Sequence, residues 1–344
     1  MGMQSINNPE PLVSIECITF NHEAYISAAL EGFLMQKTNF SIEILVHDDA
    51  SQDQTANIIR NYEKKYPGII LPIYQKENQF SKKVNITRNY QFPRVRGKYI
   101  AICEGDDYWT DPYKLQKQVD FLENNSDYGL VHCNFDKLYE KSGRIVHNAS
   151  INKSGLNLSK QDIFNGLLKN NYQIATLTVL ARTEIISNAI HNIDVSGYLM
   201  DDLPTWLEMA QNTKFHYIDN SVGVYRKVQG SASNDKNTYR AFIESEQRIR
   251  LDFTKKYSTP IEIKYKLQRA YSKSLLLNAF YSKDQQLGAQ YCNYMKEHNI
   301  ALTVFDKLVY LSITNKTLHA IFISFDKIKS RTIFILKYIV RKNV

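Results

Sequence analysis

The N-terminal third of the chain alternates short apolar runs with segments in which apolar residues recur at helical spacing. The apolar runs are rich in β-branched and aromatic residues and cover residues 13–19, 42–47, 69–74 and 99–103. The segments after them predict helices over residues 24–36, 55–66, 85–95 and 111–122, and Ser51 with Gln54 resembles a capping box ahead of the second helix. Strands that alternate with helices form a mostly parallel sheet covered on both faces. We therefore predict an α/β fold in which ligands bind beyond the carboxyl ends of the strands.

Acidic residues follow two of these predicted strands. Asp48 and Asp49 follow the second strand, and Glu104, Asp106 and Asp107 follow the fourth. Three carboxylates within four residues repel one another, which predicts a neighbouring cation. All-oxygen ligands favour Mg²⁺ or Mn²⁺, and magnesium usually completes its shell with substrate phosphates. The alternative is a solvated acidic turn that caps the next helix, but the position at a strand end favours the metal site.

The second half of the chain has a different pattern. It contains strand-like segments at residues 174–181, 214–218 and 222–227, a helix near residues 202–210, and helical spacing from residue 238 to the end. A single core stops growing near about 250–300 residues, so 344 residues suggest a main domain with an extension. We predict one α/β domain over residues 1–237 and a helical C-terminal region over residues 238–344.

Charge is concentrated at the C-terminal end. Residues 301–344 hold eight Lys or Arg and two Asp, which accounts for +6 of the net charge of +8. These basic residues are interleaved with apolar ones at helical spacing, which suits an anionic membrane surface better than nucleic acid. The apolar runs are too short for a spanning helix. Two interpretations stay open: peripheral contact with the inner face of the membrane, or a terminal pair of helices with a solvated basic face.

The chain has four cysteines that are far apart in the sequence, namely Cys17, Cys103, Cys133 and Cys292. Three of the four lie inside apolar runs that read as strands. Buried free thiols are the expected state of such residues, rather than disulfides or zinc ligands. Together with an N-terminal sequence that lacks the pattern of a secretory signal, this predicts a cytoplasmic protein.

Three segments resemble the family 2 glycosyltransferases, which have the GT-A fold. They read VSIECITFNHEAY at residues 13–25, EILVHDDASQDQT at 43–55 and GKYIAICEGDDYWTDPYKL at 97–115. Their order and spacing match the family, and the resemblance runs roughly from residue 11 to residue 233. It implies a Rossmann-like GT-A domain that transfers a sugar, with inversion, from a nucleotide-sugar. A UDP-sugar is the default donor, and the acceptor would be a saccharide or lipid-linked saccharide in bacterial surface polysaccharide synthesis.

The resemblance also implies roles for individual residues. A nucleotide pocket would be lined by the polar rim after the first two strands, namely Thr19, Asn21, Glu23, Asp48 and Asp49. Glu104-Gly105-Asp106 stands where the family has its Asp-x-Asp motif. Glu104 would therefore face the ribose, Asp106 would bind the Mn²⁺ or Mg²⁺ ion, and Asp107 would support that site or the donor sugar.

Asp202 would be the general base according to the same resemblance. The sequence DDLPTW at residues 201–206 looks like the family's acidic motif beside the acceptor. Such a base is required because a sugar hydroxyl must lose its proton as the diphosphate leaves on the opposite side. The alternative is that Asp201 and Asp202 only cap a helix, with Pro204 in its first turn.

The chain departs from the family near Arg226. Many relatives have a metal-binding His shortly after a Tyr-Arg pair, whereas this chain reads Lys227, Val228 and Gln229. Arg226 or Lys227 would then contact the diphosphate. His22 and His47 flank the polar rim, and packing is the more common use of such a residue. Burial is likewise more common than ligand stacking for Trp109 and Trp206.

Other classes of function fit less well. No glycine fingerprint follows the first strand and no phosphate-binding GxxxxGK[ST] loop occurs, which disfavours a dinucleotide-dependent oxidoreductase. A nucleotidyltransferase would need a basic glycine-rich loop early in the chain. The remaining alternative is a non-catalytic carbohydrate-binding or assembly scaffold with the same fold.

Overall fold

A computed structural model describes residues 10–152, 158–228 and 239–324. In this part of the chain nine strands form one sheet. Their bounds are β1 (Val13–Thr19), β2 (Ile42–Asp48), β3 (Ile70–Tyr74), β4 (Tyr99–Ile102), β5 (Tyr108–Trp109), β6 (Tyr128–Tyr139), β7 (Arg144–Val146), β8 (Leu180–Arg182) and β9 (Lys214–Lys227).

The sheet has a parallel half and a mixed half. Its order is β3-β2-β1-β4-β8-β6-β9-β5, with β7 paired to β6. β1, β2, β3 and β4 are parallel to their neighbours in this set, β8 is antiparallel to β4 and β6, and β9 is parallel to β6. The carboxyl ends of β1, β2 and β4 therefore lie side by side at one edge.

Helices pack on this sheet because their apolar residues lie on one face. The helices of the first unit are α1 (Ile26–Leu34), α2 (Thr55–Lys65), α3 (Lys114–Asn124), α4 (Lys160–Lys169), α5 (Thr183–Asn192) and α6 (Asp202–Asn212). The main core joins side chains of the central strands to those of α1 and α3, for example Ile15, Leu30, Phe33 and Leu115, which are fully buried. The predicted α/β fold is confirmed.

Several local predictions are wrong. The strand predicted at residues 174–181 is instead a 3-10 turn at Thr176–Thr178 followed by the short strand β8. Ser51 and Gln54 do not form a capping box, because Gln54 is the N-cap of α2 without a side-chain cap bond; Asp53 Oδ1 instead accepts the Thr55 N–H at 2.9 Å. Residues 214–218 and 222–227 are not two strands but the single strand β9, which follows β6 through several register shifts. The pattern breaks between them because Asp219 and Asn220 are polar and lie within this irregular stretch.

The helix predicted over residues 85–95 is irregular. A π-helical turn covers Thr87–Gln91 and a 3-10 turn covers Phe92–Arg94. Pro93 has no N–H to continue an α-helix, which explains why the segment ends there. Single π turns occur often at functional sites.

The chain divides into two compact units, Met1–Asp235 and Lys236–Val344. The described part of the second is helical, with α7 (Tyr239–Lys256), α8 (Ile261–Ser282), α9 (Gln285–Glu297), α10 (Val304–Thr314) and a further helical stretch at residues 316–324. Its own core includes Leu276, Phe280, Tyr291 and Val309. The predicted boundary at residues 237 and 238 lies outside the described residues, and so do residues 325–344 of the basic segment.

The cysteines are free, as expected, and Cys17, Cys103 and Cys133 are buried. No helix among the described residues is both long enough and apolar enough to cross a membrane.

Candidate active site

The predicted rim residues meet because three parallel strands end together. Thr19 and Asp48 are paired in the register of β1 and β2. The Asp49 N–H donates to the Thr19 carbonyl at 2.9 Å, and the Gly105 N–H donates to the Ile18 carbonyl at 2.9 Å. The segments after β1, β2 and β4 are thus joined through the backbone at the edge where ligands bind in such sheets.

Gly105 is required at this edge because of a close approach. A Cβ atom at this position would lie 2.6 Å from Thr19 Oγ1 and 3.1 Å from His22 Nδ1. Both distances are too short for a side chain without movement of the first strand's end. The glycine therefore allows residues 104–107, which we call the acidic segment, to lie directly against Thr19.

The segments after β1 and β2, residues 20–25 and 49–55, form what we call the loop pair. Side chains of each segment accept backbone N–H groups of the other. Ser51 Oγ accepts from Asn21 N at 2.9 Å, Asn21 Oδ1 from Gln52 N at 2.7 Å, Asp53 Oδ2 from Glu23 N at 3.0 Å and Glu23 Oε2 from Gln54 N at 2.9 Å. Asn21 and Glu23 thus already have a structural role, alongside their predicted place in the nucleotide pocket.

Left-handed backbone occurs twice in the loop pair. Asn21 has φ 54° and Ala50 has φ 63°. This region is costly for an alanine, and such residues cluster at functional sites where surrounding contacts hold them. The loop pair is therefore a tightly specified structure.

Asp48 and Asp49 have different surroundings. Both oxygens of Asp49 accept backbone N–H groups, from Gln79 at 2.7 Å and Phe80 at 3.0 Å, so this side chain holds residues 79–80. Asp48 Oδ1, by contrast, is buried without a hydrogen-bond partner among the described residues, as is Thr19 Oγ1. Burial raises the pKa of Asp48, and hydrogen bonds from Ser51 oppose the rise. Asp48 and Thr19 are the rim residues with unused buried oxygens.

The carboxylates Glu16, Glu104, Asp106, Asp107 and Asp202 form a second region, which we call the acidic floor. Burial, with repulsion from Asp106, raises the pKa of Glu104 to about 8, and Asp202 and Glu16 add to the rise. Burial also raises the pKa of Asp107 well above its ordinary value, with Asp106 and Glu104 contributing. In the floor, burial and neighbouring carboxylates both disfavour the ionised forms of Glu104 and Asp107.

Arg226 is the basic residue that contacts the floor most directly. Its backbone N–H donates to Asp107 Oδ1 at 2.7 Å, and its guanidinium donates to the Asp106 carbonyl at 2.8 Å. The same guanidinium forms a 3.0 Å ion pair with Glu140 and lies 4.2 Å from the centre of the Tyr108 ring. Arg226 therefore ties β9 to the acidic segment, in addition to its predicted contact with diphosphate.

The structure brings Asp202 to the floor from a distant part of the sequence. Asp202 is the first residue of α6, and its charge acts on Glu104. A carboxylate at a helix N-terminus is stabilised in its ionised form by the helix dipole, which is the form a general base needs. Asp201 lies beside it and accepts a hydrogen bond from Asn85 Nδ2 at 3.2 Å.

Glu16, Asn85 and Thr87 are site residues that the sequence interpretation missed. Thr87 Oγ1 donates to Glu16 Oε1 at 2.8 Å, while Glu16 Oε2 is buried without a partner among the described residues. Burial raises the pKa of Glu16 to about 7, with Asp201 adding to the rise against the Thr87 hydrogen bond. A signal was present, because a glutamate inside the apolar run of β1 is unusual.

Trp109, Trp206 and His47 are packed side chains. Trp109 and Trp206 are 2% and 3% exposed, and Trp109 Nε1 donates to the Leu177 carbonyl at 2.7 Å. His47 is fully buried with a ring 5.2 Å from that of Tyr90. His22 lies nearer the site: burial lowers its pKa, although the charges of Asp106, Asp53 and Asp48 favour protonation. His22 is thus the residue of the loop pair that is influenced by Asp106 of the floor.

The donor chemistry of the floor fits a hard divalent cation, because its ligands would all be carboxylate oxygens with uncompensated charge. No group of three or more His, Cys, Asp or Glu among the described residues is arranged to hold a metal by itself. A cation at Asp106 would therefore need further oxygens from a bound ligand. In the stretch after Arg226, where many relatives have a metal-binding His, the described residues of this chain are Lys227 and Val228.

Comparison with known proteins agrees with this geometry. Residues 14–182 match the model of Glycosyl transferase family 2. The Mycobacterium tuberculosis protein named Uncharacterized protein Rv1520 is 43% identical over 134 residues, which are 38% of this chain and 37% of that protein. The chain thus matches little more than a third of the length of this relative.

A second relative is matched over most of its length. The Escherichia coli enzyme UDP-Glc:alpha-D-GlcNAc-diphosphoundecaprenol beta-1,3-glucosyltransferase WfaP is 29% identical over 227 residues, covering 65% of this chain and 81% of that enzyme. Among solved structures, S. aureus TarS 1-349 in complex with UDP-GlcNAc has a TM-score of 0.61 at 16% identity, covering 91% of each chain.

The likeness to TarS concerns the fold alone, and with it the predicted GT-A architecture with a helical C-terminal region is confirmed. The family match spans β1 to β8 and includes the loop pair and the acidic segment after β4. The chain therefore carries a glycosyl transferase family 2 domain over residues 14–182.

Proposed function

We propose that this protein is an inverting, metal-dependent glycosyltransferase. It would move a hexosyl or N-acetylhexosaminyl group from a UDP-sugar to a hydroxyl of a saccharide or lipid-linked saccharide in surface polysaccharide synthesis. The observation that carries the proposal is the meeting of Asp48, Glu104, Asp106 and Asp202 at one edge of the sheet, although they come from three separate parts of the chain.

The donor would lie across the loop pair and the floor. Thr19 and Asp48, whose buried oxygens are unused, would hydrogen-bond the base or ribose, with Asn21, Glu23 and Asp49 shaping the pocket. Glu104 would face the ribose. Asp107 and Arg226 would hold the acidic segment in place, with the Arg226 guanidinium also near enough to the floor to attract the diphosphate.

Asp106 would hold Mn²⁺ or Mg²⁺ together with oxygens of the donor diphosphate. The bound ion would offset the charge that grows on the leaving diphosphate. Because the residues that the structure describes offer few metal ligands, we expect metal and donor to bind together. Burial is the main cause of the raised pKa of Glu104, and the charges of Asp106, Asp202 and Glu16 add to it, so a cation bound beside Glu104 would stabilise its ionised form.

Asp202 would take the proton of the acceptor hydroxyl. Its place at the N-terminus of α6 would let it approach an acceptor while the donor lies against the other carboxylates of the floor. A single displacement of this kind inverts the anomeric configuration. An ionised carboxylate is competent for this task at neutral pH because it is already deprotonated.

The choice of substrates rests on the relatives' names. The name of WfaP gives UDP-Glc as donor and a diphosphoundecaprenol-linked sugar as acceptor, and TarS was crystallised with UDP-GlcNAc. We propose donors and acceptors of these classes for this chain, without nucleic acid as a partner. Since a lipid-linked acceptor lies in a membrane, we also propose that the protein works on the cytoplasmic side and contacts anionic lipid through residues 301–344.

The test is a panel of nucleotide-sugars measured for binding and for nucleotide release, with and without Mn²⁺. We expect one UDP-sugar to bind more tightly with Mn²⁺, and UDP to be released when a saccharide acceptor is added. Sugar transfer with inverted configuration at the anomeric carbon would complete the assignment. Binding of a donor without any release of nucleotide would instead identify a non-catalytic relative.

A further inference from the structure

Helix α10 has an exposed apolar stripe. Val304, Leu308 and Leu311 are 74%, 41% and 54% exposed. Their spacing of four and three residues puts them on one face of the helix. Single exposed apolar residues are common, but a continuous stripe usually marks a surface of interaction.

The opposite face fixes the orientation of this stripe. Val309 and Ile313 are buried in the core of the C-terminal unit, and a Cβ at Gly288 would lie 3.1 Å from Ile313 Cδ1, which shows how closely α9 and α10 pack. Asp306 is buried and pairs with Arg269, and it also completes a capping box with Thr303. The helix is thus anchored by one face and presents the other.

Further apolar side chains extend the exposed surface. Phe305 is 53% exposed and packs edge-on against Phe322, with ring centres 5.9 Å apart. Ile321, in the helical stretch that follows, is 45% exposed. We call Val304, Phe305, Leu308, Leu311 and Ile321 the apolar ridge.

The exposed charges in the stretch of sequence that carries the apolar ridge are positive. Asp306 is the one acidic residue between residues 298 and 324, and it is 2% exposed. Lys307 and Lys316 are exposed in the same stretch. The sequence that follows, residues 325–344, has six basic residues and one aspartate, a net charge of +5.

These charges distinguish between possible occupants of the apolar ridge. A second copy of the chain, packed symmetrically on the same face, would bring like charges together, which opposes association. An anionic lipid surface would neutralise the lysines while its acyl boundary receives the apolar side chains. We propose that the apolar ridge of α10 inserts into the boundary of an anionic membrane, with Lys307 and Lys316 at the headgroups.

This inference deepens the proposed membrane contact of residues 301–344 by assigning insertion to the apolar ridge rather than to charge alone. Insertion at α10 would hold the C-terminal unit at the surface in which a lipid-linked acceptor lies. Binding should then depend on both apolar area and charge, and fall as salt is raised.

The experiment measures co-sedimentation of the full chain with phosphatidylcholine vesicles, with and without phosphatidylglycerol. We expect binding to anionic vesicles only. The double substitution Leu308→Ser and Leu311→Ser should reduce the partition coefficient about tenfold or more. Lys307→Glu with Lys316→Glu should reduce it about fivefold per lysine. Ile145→Ser, at a residue of β7 that is 47% exposed, is the matched control and should bind as the unchanged protein does.

Several results would overturn the proposal. One is absence of binding to anionic vesicles by the unchanged chain; another is full binding by the Leu308 and Leu311 variant. A third is a dimer, seen by light scattering, that this variant converts to monomer while vesicle binding is absent. Release of UDP during sugar transfer to a water-soluble acceptor, measured on the same variants, separates the two proposals. If the proposed catalysis is wrong, vesicle binding is still observed. If the proposed membrane insertion is wrong, UDP release is still observed.

Discussion

The loop pair and the acidic floor lie at the same edge of the sheet, yet they satisfy their polar groups in opposite ways. In the loop pair, the side chains of Asn21 and Glu23 accept backbone N–H groups at 2.7 and 2.9 Å, so the structure is complete without a ligand. In the floor, burial and mutual repulsion raise the pKa of Glu16 to about 7 and that of Glu104 to about 8. The hydrogen bonds of the loop pair are formed without a ligand, whereas the fold keeps the carboxylates of the floor close together although burial and repulsion disfavour their ionised forms.

This difference assigns different tasks to the two regions. A preformed polar pocket suits recognition, because little conformational entropy is lost when a nucleotide binds. A cluster of carboxylates without enough positive charge suits a cation and a reaction in which charge moves. Changes in the floor should therefore affect catalysis and pH dependence, and changes in the loop pair should affect stability and nucleotide affinity.

The largest effect is expected for Asp202→Asn. Removal of the general base should lower kcat by about 10²-fold or more, with donor affinity preserved. Steady-state kinetics and donor titration measure the two quantities separately. Asp201→Asn makes the same change of charge one residue away and is the matched control, for which a smaller loss is expected. Near-normal turnover of the Asp202 variant would remove this residue from the role of base.

The next effect concerns the pH dependence of stability at Glu16. A carboxyl whose pKa is raised in the folded state keeps its proton longer than in the unfolded chain, so stability falls as pH rises from about 4.5 to about 7. A rise from 4.5 to about 7 corresponds to about 3 kcal/mol. Glu16→Gln keeps an acceptor for Thr87 but has no charge, so this part of the fall should disappear.

Denaturant unfolding at pH 5 and pH 8 measures this difference. Glu184→Gln, at an exposed position of α5, controls for the loss of one carboxylate. If Glu16→Gln and the unchanged protein lost equal stability between the two pH values, the raised pKa assigned to the buried Glu16 would be contradicted.

The fold was largely predictable because alternation of strand and helix is a local property of the sequence. The strands β1 to β4 lie within one or two residues of the predicted runs. The mixed half of the sheet was not predictable in detail, since β8 has three residues and β9 follows β6 through register shifts that no periodicity reports. Pairing of such strands is decided by tertiary contacts.

The candidate site was predictable where motifs are contiguous. Glu104 and Asp106 are two residues apart in the sequence, and the resemblance assigned Asp202 to the same site. Hydrogen bonds between distant residues were not visible, such as Thr87 to Glu16 and Asn85 to Asp201. The sequence also could not show that both oxygens of Asp49 are used by residues 79–80. Residue types indicate what a group can bind, but only the fold shows what it already binds.

The smallest effect is expected in the loop pair and concerns Asn21. Asn21→Gly removes the acceptor for the Gln52 N–H while tolerating φ 54°, so we expect a loss of about 1 kcal/mol of stability. Asn21→Asp keeps the acceptor and tolerates the same backbone conformation, and it should lose less than about half of that amount.

Thermal unfolding and UDP titration of both variants separate two roles of Asn21. A residue that only joins the loops loses UDP affinity in the glycine variant alone. A residue whose Nδ2 also contacts the nucleotide loses affinity in the aspartate variant as well, although that variant keeps most of its stability. Equal stability of all three proteins would contradict the view that the loop pair is built in advance by these hydrogen bonds.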